Sequence, residues 1–326
     1  MSRLPELDYA DEADRICDRL REITLKTLRR RGLVVAMSGG IDSSTCAALA
    51  VRALGPERVF GLLLPERDSS SGSSSLGRLL ADHLGIRHAR QDISATLAAI
   101  GCYSAQDEVL RRALPGFGDG WKFKLAIAAS MGGRVGITRV VAEDPMGNRH
   151  QQRLSAPDYL QMVAATNFKQ RIRKTLEYYH ADRLNYAVVG TPNRLEYDQG
   201  FFVKNGDGAA DVKPIAHLYK TQVYAMARHL GLPEPLASTT PTTDTFSLAQ
   251  GQDEFYFGLP YPQMDLALWH LNAGLPASEL AHELGCDSAT AEQIYETIRA
   301  KRRTTAYLHT GPVLMVPVPE VEGCGA

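Results

Sequence analysis

Ser38-Gly39-Gly40-Ile41-Asp42-Ser43-Ser44 constrains this chain more than any other stretch. Leu33-Val34-Val35-Ala36-Met37, an apolar run of strand length, leads into it, and a small-residue helical pattern runs on from Asp42 to about Leu54. A strand that breaks at two glycines and restarts as a helix leaves several backbone N–H groups without intrahelical acceptors, all pointing out of the helix N-terminus. Two glycines let backbone approach backbone, or an anion, with no Cβ in the way. Ser38, Ser43 and Ser44 add hydroxyls, and Asp42 adds the acid that a divalent cation bridging to phosphates would need. A serine-capped helix after a tight turn is the plain structural alternative, and the apolar strand in front of the run argues against it.

Beyond this loop the chain alternates strand and helix. Val59–Leu64 reads as a second buried strand, 76–84 as a helix closed by Gly85, 86–93 as a third strand, and Asn185–Val189 as a later one. The pattern predicts an α/β fold, a doubly wound parallel sheet flanked by helices, with ligands at the carboxyl edge. The Ser/Gly-rich stretch to Ser75 is read as a loop at that edge. A helix over 11–31 precedes the first strand, and Ser155 with Pro157 opens a long helix reaching about Leu184. Residues 101–154 interrupt the pattern and read as an insertion or lid: a helix over 106–114, then a hairpin of 135–142 against 149–154 turned at 145–148. The C-terminal region reads as helices over 219–230, 264–272, 277–284 and 288–302, with a Pro- and Gly-rich tail over 304–326.

Composition suits one large domain. The 326 residues are 44% hydrophobic with a formal net charge of −1, which removes the electrostatic case for general nucleic-acid or membrane binding. The five cysteines are scattered, with no metal-binding spacing, as in a reducing compartment. The charged N-terminus and the absence of a long apolar run predict a cytoplasmic protein.

The loop resembles the SGGxDS pyrophosphate loop of the N-type ATP pyrophosphatases, and it lacks the spacing of a Walker loop. Three further stretches come in order: Asn167-Phe168-Lys169-Gln170-Arg171, Gly190-Thr191-Pro192-Asn193-Arg194-Leu195-Glu196, and Gly200-Phe201-Phe202-Val203-Lys204-Asn205-Gly206-Asp207-Gly208-Ala209-Ala210-Asp211. Together these are similar to the ammonia-dependent NAD⁺ synthetases, and the resemblance covers residues 1–303 apart from the insertion. It implies ATP as co-substrate, held by Ala36, Met37, Ser38, Gly39, Gly40, Ile41, Asp42, Ser43, Thr191, Lys220 and Thr242. It implies Mg²⁺ on Asp42 and Glu196, the latter carried at a strand end. It implies a dinucleotide site at Arg171, Lys204, Asp211, Ala300 and Lys301, completed in a homodimer.

The implied chemistry needs no protein nucleophile. A carboxylate of deamido-NAD attacks the α-phosphate of ATP, pyrophosphate leaves, and ammonia displaces AMP from the acyl-adenylate. Asp42 and Lys220 would serve adenylation, and Asp211 and Thr242 are candidates for orienting ammonia. The chain has no room for the glutaminase domain of glutamine-dependent enzymes, so ammonia is free or comes from a separate glutaminase. A same-fold amide ligase acting on a different carboxylic acid, with ammonia or glutamine-derived nitrogen, shares every ATP residue and is the rival reading. Near-neutral charge and unpaired cysteines weigh against a tRNA-modifying pyrophosphatase, and the presence of both metal acids weighs against a non-catalytic nucleotide-binding protein.

Overall fold

The computed structural model describes residues 4–69, 71–127, 138–238, 246–248, 251, 256–316 and 318. Its core is a parallel sheet of β1 (Leu33–Ala36), β2 (Val59–Leu63), β3 (Arg87–Arg90) and β7 (Ala187–Val188) in the order β3-β2-β1-β7. Residues alternate between the two sheet faces. Leu33, Val35, Val59 and Leu63 pack against α1 (Tyr9–Glu22), α2 (Ile41–Leu54), α3 (Ser71–Leu84) and α8 (Lys220–His229). Val34, Phe60, Leu62 and Val188 pack against α4 (Ser94–Ala99), α5 (Cys102–Ala113) and α6 (Ala156–Leu184). The sheet is therefore doubly wound, as expected. Strand order reverses between β1 and β7, which is where open sheets of this kind hold ligands.

Helix α6 is the longest helix among the described residues. The Ser155 hydroxyl accepts from Asp158 N at its start, and Asn185 ends it in a left-handed conformation at φ 56°. Its 29 residues reach about 43 Å, whereas a five-residue strand spans roughly 16 Å. Only its C-terminal half can lie on the sheet, where Phe168, Ile172, Leu176 and Ala181 pack. Its N-terminal half, with Tyr159 and Met162, overshoots the carboxyl edge and carries a second core.

That second core belongs to the insertion. β4 (Lys122–Ile127), β5 (Thr138–Glu143) and β6 (Arg149–Arg153) form an antiparallel sheet in that order. The expected hairpin is present from residue 138 on, pairing Arg139 with Arg153 and Glu143 with Arg149, and its expected start at 135–137 lies outside the described residues. β4 adds a strand beyond that expectation; it pairs Phe123 with Ala142 and Leu125 with Val140. Phe123, Leu125, Val140, Ala142 and Phe246 pack together with Val109, Leu110 and Met162.

A third unit is helical: α7 (Arg194–Gln199), α10 (Tyr261–Asn272), α11 (Ala277–Leu284) and α12 (Ser288–His309), whereas the short α9 (Glu234–Ala237) packs on the core of the main sheet through Leu236. α7 and α10 to α12 share a core through Leu195, Leu268, Leu280, Tyr295 and Ile298. Arg302 of α12 grips Asp198 of α7 through Nε at 2.6 Å and a terminal nitrogen at 2.7 Å. No helix among the described residues is long and apolar enough to cross a membrane.

Three expectations change. The helix before β1 runs from Tyr9 to Glu22 and ends in a π-helical turn, Ile23–Thr27, rather than reaching residue 31. The serine-rich stretch from Ser71 is the start of α3, not a loop. Its composition suits a linker, but Gly77 lets the helix lie directly on β2, where a Cβ would fall 2.5 Å from Leu63 Cδ2. The last helix runs on to His309 instead of stopping near 302, because Lys204 Nζ donates to the carbonyls of Tyr307 (2.9 Å) and Thr310 (2.6 Å) at its end.

Candidate active site

β1 delivers Ala36 to its carboxyl end, and the chain turns through Met37, Ser38, Gly39 and Gly40 into α2. Gly39 sits at φ 80°, and a Cβ there would lie 2.8 Å from Leu76 Cβ and 2.9 Å from the Ser73 carbonyl oxygen. Only glycine combines that dihedral with that approach to α3. Gly40 caps α2; its N–H donates to Ser38 Oγ (3.3 Å), while Ser43 Oγ (3.0 Å) and Ser44 Oγ (2.9 Å) donate to its carbonyl. The serines fix the turn, and the first-turn N–H groups of α2 face the space beyond it.

Two acids meet beside this turn. The Asn193 side chain holds both: its Nδ2 donates to Asp42 Oδ1 at 3.0 Å, and its Oδ1 accepts from Glu196 N at 3.2 Å. Glu196 Oε2 accepts from Asn193 N at 3.0 Å, closing a capping box on α7. Glu196 therefore lies in the first turn of α7 and not at a strand end. Burial, and then the negative charge of Asp42, push its carboxyl up to about 8. Lys220 Nζ, fully buried, donates to Asp42 Oδ2. Asp265 of α10 fixes the start of α8 by accepting from Lys220 N (3.1 Å) and Thr221 N (2.8 Å).

The turn, Asp42, Thr191 and Glu196 open on one cleft of about 630 Å³, a volume within the usual range for small-molecule sites. All eight residues Ala36–Ser43 line it. Lys220 does not, because its ammonium is turned onto Asp42. Thr242 lies outside the described residues. Two carboxylates held by the side chain and the backbone N–H of one asparagine form a hard-oxygen pair, which suits a Mg²⁺ ion completed by phosphate oxygens. Among the described residues no group of three His, Cys, Asp or Glu side chains forms a protein-only metal site.

The residues expected to hold a dinucleotide lie off this cleft. Arg171 is exposed and donates to the Lys204 carbonyl at 3.3 Å. Asp211 Oδ2 accepts from Val188 N at 2.7 Å and Oδ1 from the Tyr178 hydroxyl at 3.4 Å, so it pins the 200–211 loop to β7. Lys301 donates to the Tyr256 carbonyl at 2.6 Å, and burial pushes it down to about 8. Ala300 is its half-buried neighbour on α12.

Other polar groups take the cleft wall. Arg173, two residues from Arg171, lines it and donates to the Leu64 carbonyl at 3.1 Å. Lys174 and Glu177 pair at 2.6 Å in a buried position on the same wall. Asp207 also lines it; its Oδ1 accepts from Val203 N at 2.7 Å, and burial raises its carboxyl. Behind them Lys169, fully buried, binds Glu66 (2.9 Å) and Asp68 (2.7 Å), and Tyr103 donates to Glu66 at 2.8 Å. Sequence reasoning misses Asn193, although the Asn-x-x-Glu capping signature is readable. Asp207 stands inside a motif already singled out; nothing local distinguishes it from Asp211.

An anion-binding turn, an acid pair and a wall of buried charges suit a cleft that takes a polyphosphate beside a second polar ligand. A family model described as NAD synthase matches residues 12–113 and 135–305. An NH(3)-dependent NAD(+) synthetase of Rhizobium meliloti (strain 1021) is 55% identical over 318 residues, covering 97% of this chain and 95% of that one. Among solved structures, an NAD+ synthetase from Burkholderia pseudomallei superposes with a TM-score of 0.58 at 26% identity, covering 93% of this chain and 92% of that one. An NMN synthetase from Francisella tularensis gives 0.66 at 19% identity, covering 95% and 99%, a likeness of fold.

Proposed function

The chain belongs to the NAD synthase family, and from that premise we propose that it converts deamido-NAD to NAD⁺ with ATP and ammonia, releasing AMP and pyrophosphate. One observation carries the reading: the whole phosphate turn Ala36–Ser43, Thr191 and Glu196 open on a single cleft. Full-length identity of 55% to an NH(3)-dependent NAD(+) synthetase supports this carboxylate over that of the sister-ligase reading.

In this mechanism the turn and the N-terminus of α2 hold the ATP phosphates by backbone N–H groups. Asp42 and Glu196 would hold Mg²⁺, which when bound neutralises charge on the pyrophosphate leaving group. Asn193 keeps the two acids together, and Lys220 balances their charge from behind. Thr191 and Thr242 stand as further ATP contacts. Arg173 and Lys174 place positive charge along the path of the anionic substrates. The carboxylate oxygen attacks the α-phosphorus, forming a C–O–P bond as the bond to pyrophosphate breaks. Ammonia then attacks the acyl carbon, the acyl C–O bond breaks, AMP leaves and the nitrogen loses a proton. Asp207, which lines the cleft and whose carboxyl is raised by burial, would take that proton; Asp211, the candidate for orienting ammonia, lies off the cleft. Binding in register rather than a covalent enzyme intermediate supplies the rate.

Arg171, Lys204, Ala300 and Lys301 remain substrate contacts in this reading. Their position off the cleft supports a dinucleotide whose distal half extends beyond it, onto a homodimer interface. The synthetase domain of this reading is extended from residue 303 to the end of α12 at His309, with the 101–154 insertion as its roof and the sequence after α12 as a tail. The reading places the protein in the cytoplasm.

The test incubates protein, ATP and Mg²⁺ with nicotinate adenine dinucleotide and either ammonium or glutamine, with mass spectrometry of products. NAD⁺, AMP and pyrophosphate with ammonium alone are expected. Product only with glutamine plus a second protein would indicate a docked glutaminase. No NAD⁺ with either donor overturns the substrate. Sedimentation velocity of the same sample reads the dimer.

A further inference from the structure

The family model matches either side of residues 114–134, and β4 lies in the interval between. This strand is not a surface ornament. Lys122-Phe123-Lys124-Leu125 alternates, with Phe123 and Leu125 each 2% exposed and turned inward against α5 and α6. Leu125 reaches the cleft itself. The free edge of β4 holds a distant stretch of chain: Phe123 N donates to Ser247 Oγ at 2.9 Å, and Leu248 N donates to the Phe123 carbonyl at 3.0 Å. That pairing sets Phe246, 5% exposed, against Phe123 with ring centroids 5.6 Å apart. Phe246 also lines the cleft.

Besides the wall of buried charges on α6 and the 200–211 loop, the cleft has two unlike faces. At the carboxyl edge of the sheet are the phosphate turn and the acids. Leu125, Phe246, Tyr159, Val163 and Tyr256 form an apolar wall of the same cleft. Tyr159 and Val163 belong to the half of α6 that overshoots the sheet, so this wall stands above the carboxyl edge. Because the turn and this wall line the same cleft, an acyl group joined to the α-phosphorus of a nucleotide held on the turn can reach it. An acyl-adenylate is open to water as well as ammonia, and water is in vast excess. An apolar wall that fills the space around the acyl carbon leaves no ordered water there.

We propose that β4, through Leu125 and the Phe246 it holds, is the water-excluding wall over the acyl-adenylate and commits that intermediate to ammonia. Attack by ammonia breaks the acyl C–O bond and gives amide plus AMP; attack by water breaks the same bond and returns the carboxylate plus AMP. The ratio of AMP to amide reads the wall directly. The proposal rests on the amide-ligase reading, and the ratio is scored on whichever carboxylate the wild-type protein amidates, so a wrong substrate and a wrong wall give different results.

Leu125→Ala is expected to raise AMP per amide by roughly threefold or more at low ammonium, falling back toward one as ammonium saturates. Leu125→Met, which keeps the volume, should hold the wild-type ratio, as should Lys122→Ala on the outward face of the same strand. Phe246→Leu probes the wall from its other side and serves if Leu125→Ala does not fold. Ratios that stay at the wild-type value in Leu125→Ala and Phe246→Leu, with only the overall rate changed, would overturn the proposal. So would an equal rise in Lys122→Ala. A wild-type protein that amidates no carboxylate overturns both readings.

Discussion

The phosphate turn and the roof over it face each other across one cleft but are built in opposite ways. The turn is local. Eight consecutive residues carry its anion site, and the partners of its serine hydroxyls lie within five residues. The roof is non-local. It joins β4 near residue 123 to the first turns of α6 and to residues 246–248, the latter more than a hundred residues further along the chain. A local site can be read from a motif because the backbone conformation and the chemistry share the same residues. A non-local one cannot, because its function exists only after packing.

The largest expected effect lies on the local side. Asp42→Asn keeps the hydrogen-bonding shape toward Asn193 and removes the charge. ATP cleavage to AMP should fall about 10³-fold, roughly 4 kcal/mol, measured as AMP release under saturating carboxylate. Unchanged cleavage would remove the acid pair from the chemistry and leave the roof as the stronger candidate.

Next comes the roof. Phe123 is 2% exposed and packs on Phe246, Phe117 and the core of the insertion. Phe123→Ala should cost about 3 kcal/mol of stability, read by chemical denaturation, while ATP affinity at low temperature changes little. A large loss of ATP affinity in the folded variant would show that the two sides are one cooperative unit.

Legibility in the sequence divides along the same line. The strand, turn and helix at 33–54, and the whole length of α6 with its Ser155 cap, are readable because caps and glycines act on their neighbours. The alternation of Lys122-Phe123-Lys124-Leu125 is also there to read, but its inward face has no partner until Val140 and Phe246 arrive. Arg171 and Arg173 differ by two positions on one helix, and only tertiary packing separates them: Arg173 reaches the Leu64 carbonyl after β2 and lines the cleft, while Arg171 reaches the Lys204 carbonyl outside it. The ion pairs Lys169–Glu66 and Lys220–Asp42 join residues 103 and 178 positions apart. No spacing rule reaches that far.

Gly39→Ala tests whether the turn depends on its neighbour. The left-handed dihedral costs an alanine about 1 kcal/mol or more, and the new Cβ would also press on Leu76 and Ser73 of α3. A total of about 2 kcal/mol is expected, with weaker ATP binding by isothermal titration. Stability lost without any loss of ATP affinity would mean that the turn relaxes away from α3 and that its local geometry alone holds the nucleotide.

The smallest expected effect isolates the link that makes the roof non-local. Ser247→Ala removes the acceptor for Phe123 N and leaves the backbone pairing of Leu248 with Phe123 in place. An unpaired amide at that edge costs about 1 kcal/mol, within reach of a paired denaturation experiment against wild type. Because Phe246 precedes Ser247, loosening this edge should also widen the range of positions its ring takes. Hydrogen exchange at the Phe123 amide should then rise with no change at β1 or α2. If exchange rose at β1 and α2 as well, the two walls would open together, and the division between a local site and a packed one would hold for the sequence but not for the motion of the molecule.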